Sequence, residues 1–147
     1  MIYFDWVNTF EKLKSSPIDY DLLKELEDKK LDGDDYVLQH LITHIIDTVN
    51  TRLNTCFEKF LERIVIGNID VNILSLELIQ LKKEIIFNKK IVNLSIIPND
   101  SRERFITTLD NAVNNIYDIL RKNLKYVDDD GEFLSVFDQI MVSDVEE

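Results

Sequence analysis

The chain has 147 residues, 45% of them hydrophobic and 31% charged, a mixture too apolar for an intrinsically disordered chain and long enough to bury a core without staples. Its formal net charge of -11 weighs against nucleic-acid binding, which needs a stripe of lysines and arginines. A single cysteine excludes an intramolecular disulfide and a cysteine-based zinc knuckle, and no apolar run approaches the ~18 residues of a membrane span. The first ten residues carry Asp5 and no basic residue, unlike a secretory signal, so a cytoplasmic location is expected.

Three Gly and two Pro leave few breaks, which favours long helices. Tyr3, Trp6, Phe10 and Leu13 recur at helical spacing and predict a first helix ending at Ser15-Ser16-Pro17. Phe4 and Val7 fall beside that row and, if exposed, would suit dimerisation or a partner helix. Ser16 as cap with Pro17 at the first helical position predicts a second helix with Ile18, Leu22 and Leu26 inward. The turn Asp32-Gly33-Asp34 should stop it.

From Asp34 or Asp35 to Ile66 there is no Gly or Pro, and Leu38, Ile42, Ile45, Val49, Leu53, Cys56, Phe60 and Ile64 form a continuous stripe. A flanking row, Leu41, Ile46, Phe57 and Leu61, makes the apolar face wide enough for two neighbours. A fourth helix is expected from about Asp70 to Phe87, with Ile73, Leu76, Ile79, the Lys83 stem and Ile86 near one face. The β-branched run near 91–97, ahead of Pro98, predicts a short extended connection. Asp100 and Glu103 stand in capping-box relation before a fifth helix carrying Phe105, Leu109, Ala112, Ile116, Ile119 and Leu124. After Asp128-Asp129-Asp130-Gly131 a last amphipathic segment holds Phe133, Leu134, Phe137, Ile140 and Met141. The expected fold is all-α: one domain over 1–142, a bundle of five to six helices around a long central helix at about 35–66, with a frayed acidic tail at 143–147.

The acidity is concentrated. Residues 127–147 hold eight acidic residues and no basic one, and residues 19–35 hold eight acidic residues against three lysines. The stretch 36–126 has ten acidic and twelve basic residues, so the middle is close to neutral. Acids are natural at caps and in solvated tails. They can also steer a basic partner, with aromatic neighbours holding the complex once formed. On that reading the partner-binding residues are Asp128, Asp129, Asp130, Glu132, Phe133 and Phe137 in the C-terminal window, which fits better because its acids are interleaved with Phe133, Phe137, Ile140 and Met141, and Asp32, Asp34 and Asp35 in the other.

Catalytic patterns are thin. His40, His44 and Asp47 lie at i, i+4 and i+7, a spacing able to bind a transition metal, but they fall opposite the apolar stripe and lack the glutamate of the HExxH zinc-protease motif. Cys56 sits within the stripe with no activating neighbour in sequence. No glycine-rich phosphate loop or nucleophile elbow is present. No cofactor and no metal are therefore expected. The leading expectation is a non-catalytic acidic module that inhibits a basic partner enzyme, in the manner of a toxin immunity protein. The alternatives are an adaptor subunit of a larger assembly and a metal-dependent helical-bundle enzyme using His40 and His44.

Overall fold

The computed structural model describes residues 1–66, 70–127 and 131–142, without the side chains of residues 65, 66, 126 and 127. The described residues form six helices, α1 (Tyr3–Leu13), α2 (Tyr20–Glu27), α3 (Asp35–Ile66), α4 (Val71–Val92), α5 (Asn99–Val127) and α6 (Glu132–Met141), and contain no strand. The all-α bundle and its long helix at 35–66 are as expected. At 1.5 Å per residue α3 is roughly 48 Å long.

Polar caps set several helix starts. The α2 cap is Asp19, whose carboxylate accepts the Leu22 N–H at 3.1 Å, so Pro17 lies outside the helix and the inner face is Leu23 and Leu26. Ile18 and Leu22, expected to point inward, are half-buried. Asp34 accepts from Val37 N–H at 3.1 Å to start α3. Gly33 is favoured just before it, because its φ of 156° is one that side chains rarely adopt and a Cβ there would crowd the Val37 side chain at 3.0 Å. Asp70 accepts from Ile73 N–H at 2.9 Å at the start of α4. At α5 the Asp100–Glu103 capping box does not form: the helix already includes Asn99, and the Asp100 carboxylate accepts from Ser101 N–H.

The inner face of α4 differs from expectation. Ile73, Leu76 and Ile79 are exposed, Leu76 by 66%. The buried row is Leu74, Leu78, Leu81, Ile85, Asn88 and Val92. Both rows have helical spacing, but only the second runs the full helix without meeting a lysine, so burying it removes more apolar surface from water. On α5, Leu120 takes the inward place expected of Ile119, which is 43% exposed.

The segment near 91–97 is not extended. Ile91 and Val92 complete the last turn of α4, and tight turns follow, with Leu94 N–H donating to Ile91 carbonyl at 3.2 Å and Ile97 N–H to Leu94 carbonyl at 3.0 Å. Arg102 clamps this corner by donating to the Leu94 and Ile97 carbonyls at 3.2 and 2.8 Å. The apolar residues there serve burial: Ile91, Val92, Leu94 and Ile97 are all in the core, and no strand among the described residues is available to pair with them.

The contacts fix the arrangement. α1 runs alongside α3 in the same direction: the N-terminal ammonium donates to Lys30 carbonyl, Thr48 Oγ1 donates to Phe10 carbonyl, and Arg52 donates to Leu13 carbonyl. α2 lies beside the C-terminal half of α4, where Tyr20 meets the Phe87 ring edge-on and Ser95 binds the Glu27 backbone. α6 lies beside the first half of α4 and the last part of α5, through Lys82 to Ile140 carbonyl and Arg121 to Asp138. One end of the bundle, called here the near end, therefore carries the starts of α1 and α3 and the α4–α5 corner; the far end carries the last turn of α5 and the start of α6. No helix among the described residues is long and apolar enough to cross a membrane.

Candidate partner-binding surfaces

The two acidic windows fall at opposite ends. Asp32, Asp34 and Asp35 are exposed at the near end, whereas Glu132 begins α6 at the far end. The length of α5 puts roughly 40 Å between them. They do not form one surface. Asp128, Asp129 and Asp130 lie outside the described residues.

The near-end acids are partly occupied by the fold. Asp32 stands 3.5 Å from the N-terminal ammonium, Asp34 caps α3, and Asp35 lies in the first turn of α3, where the helix dipole favours an anion. In the far window, Phe133 is half-buried, and Phe137 is fully buried, edge-on to Tyr117 at 5.6 Å with the Arg121 guanidinium 5.5 Å from its ring centre. Phe137 is thus a core residue of this fold and offers a partner no surface.

A second feature accompanies the near-end acids. Phe4 and Tyr36 are 71% and 72% exposed. Tyr36 packs edge-on against His40 at 4.5 Å, His44 packs against Tyr3 at 6.2 Å, and Tyr3 packs against Phe4 at 6.1 Å. Tyr36, His40 and His44 recur every four residues, so they form one polar-aromatic row on α3 beside the first turns of α1. The spacing was readable in the sequence; the adjacency of α1 was not.

These neighbours also account for the histidines. His40 leans on Tyr36, His44 Nδ1 is 3.9 Å from Glu11, and Asp47 is held 2.6 Å from Lys14. Hydrogen bonding to Asp47 first, then to Glu11, raises the Lys14 pKa. Among the described residues no group of three His, Cys, Asp or Glu side chains is placed to hold a metal ion.

A cleft of about 910 Å³ lies mid-molecule, between the α1–α2 connection and the middles of α3 and α4. Arg52, only 4% exposed, is its anchor: it donates to the Leu13 and Ser16 carbonyls, bonds both Glu84 carboxylate oxygens at 3.0 and 3.1 Å, and lies over the Phe87 ring at 4.7 Å. It thereby satisfies carbonyls left open where α1 ends. Cys56 lines the same cleft, and burial pushes its thiol up to about 11, which keeps it protonated and a poor nucleophile at neutral pH. Sequence reasoning missed Arg52 because a lone arginine flanking an apolar stripe reads as solvent-facing. Compared with known proteins, the chain matches no protein-family model, no curated protein and no solved structure.

Proposed function

We propose that this chain is a non-catalytic protein-binding module of the inhibitor or immunity type, and that its near end docks a basic partner enzyme. The observation that carries the reading is the coincidence, at one end, of the two most exposed aromatic side chains among the described residues, Phe4 and Tyr36, with Asp32, Asp34 and Asp35. Exposed carboxylates raise the encounter rate with a cationic surface. Exposed aromatic faces then accept arginine or lysine heads by cation–π contact and lose water on docking. The far window, with Phe137 withdrawn into the core, supplies acids without an equivalent aromatic anchor.

Exposure of Phe4 also favours a second reading, an adaptor that docks through α1 to a neutral or apolar subunit. Photocrosslinking separates the two. With benzoylphenylalanine at position 4 or 36 in cells, the inhibitor reading expects one basic protein crosslinked from both sites, lost in Asp32→Asn/Asp34→Asn/Asp35→Asn. Neutralising Asp128, Asp129, Asp130 and Glu132 should leave it in place. Association of the purified pair should slow as salt rises. Crosslinks to a non-basic subunit, or capture indifferent to the near-end acids, would overturn it.

A further inference from the structure

We propose that the cleft between the α1–α2 connection and the middles of α3 and α4 is a binding site for a small anionic ligand, a phosphate or carboxylate group on a compact apolar body. Its charge is opposite to that of the molecule. In a chain of net charge -11, the cleft is lined by Lys14, Arg52, Lys59 and Lys83 against the single carboxylate of Glu84. Lys14 is matched by Glu11 and Asp47, and Arg52 by Glu84. Lys59 and Lys83, from facing helices, have no hydrogen-bond or ion-pair partner among the described residues. Two like charges converging on one cleft repel, and an anion between them relieves that repulsion.

The rest of the lining suits such a ligand. Arg52 is held in place by its four oxygen contacts, so its positive charge is fixed in the wall. Ile18 and Cys56 provide apolar wall, the thiol contributing no charge because it stays protonated. The volume, about 910 Å³, falls within the range of small-molecule sites, roughly 300–1,000 Å³. The cleft is remote from the acidic near end, and the inference does not depend on the proposed partner.

Cys56, the only cysteine, is a built-in reporter on the cleft wall. The test measures its modification rate by a small maleimide, together with thermal unfolding, in the presence of phenyl phosphate, benzoate or benzyl alcohol at millimolar concentration. Phenyl phosphate or benzoate should slow modification and raise the melting temperature, and which of them does so more tells phosphate from carboxylate. Benzyl alcohol should do neither. Lys59→Met and Lys83→Met alter exposed side chains, so the variants should fold, and each should weaken the anion by about tenfold, the loss of one charge-assisted hydrogen bond. Protection by benzyl alcohol as strong as by the anions, protection unchanged in the double variant, or no effect of either anion would each overturn the proposal.

Discussion

Two arginines on α3 reach two glutamates on α4, and the pairs differ in almost everything except chemistry. Arg52–Glu84 lies beneath the α1–α2 connection, its side chains 3% and 12% exposed; Arg63–Glu77 lies beyond the reach of α1 and α2, its side chains 58% and 22% exposed. The outer pair has the shorter contact, 2.6 Å against 3.0 Å. Distance is nonetheless a poor guide to worth here. Arg63 can trade its glutamate for water, whereas Arg52 also serves the Leu13 and Ser16 carbonyls and the Phe87 ring, none of which water can reach as readily. One residue ties three elements: the end of α1, the middle of α3 and the middle of α4.

The largest effect should therefore come from Arg52→Ala. It leaves Glu84 as a nearly buried charge without a partner and two carbonyls without a donor, a loss of about 3–5 kcal/mol. Against a typical domain stability of roughly 5–15 kcal/mol, urea unfolding should show a large drop in midpoint. The double variant Arg52→Met/Glu84→Leu sharpens the comparison. If the ion pair alone mattered, apolar replacement would restore most of the loss; if the carbonyls of Leu13 and Ser16 matter too, restoration should be partial.

Next in size is a contrast within α4. Leu74 is fully buried and Leu76 is two-thirds exposed, so Leu74→Ala should cost about 2–5 kcal/mol and Leu76→Ala under about 0.5 kcal/mol. Equal losses from both, read by thermal or urea unfolding, would mean that Leu76 is covered in solution, for example by a second copy of the chain.

That same contrast marks where the sequence was legible and where it was not. α1 and α3 were readable because each carries one unbroken apolar stripe between clear stops, Ser15-Ser16-Pro17 for the first and Asp34 at the start of the second. α4 was misread because it carries two stripes at the same spacing, and only packing against α3, α5 and α6 chooses between them. The turn after Val92 was misread because β-branched residues serve burial at a corner as well as in a strand. The acidic windows were visible in the charge distribution, but their placement at opposite ends follows from how α5 and α6 run, which residue order does not state. Arg52 stands one turn after Thr48, beside the main stripe. Its burial depends on a connection that closes over it from elsewhere in the chain.

The smallest effect should come from the outer rung. Arg63→Ala removes a charge that is more than half in solvent, and Glu77, less exposed, gains access to water when the guanidinium leaves. A double-mutant cycle over Arg63→Ala and Glu77→Ala should give a coupling of about 0.2–1 kcal/mol, shrinking as salt is added. The corresponding cycle over Arg52 and Glu84 should be several times larger and less sensitive to salt, because both side chains are largely withdrawn from solvent. A salt-insensitive outer rung would mean that Arg63 and Glu77 are shielded as well, extending the cover over α3 and α4 toward the far end; an inner rung as salt-sensitive as the outer one would mean that the connection opens readily and that Arg52 is far less fixed than its four oxygen contacts imply.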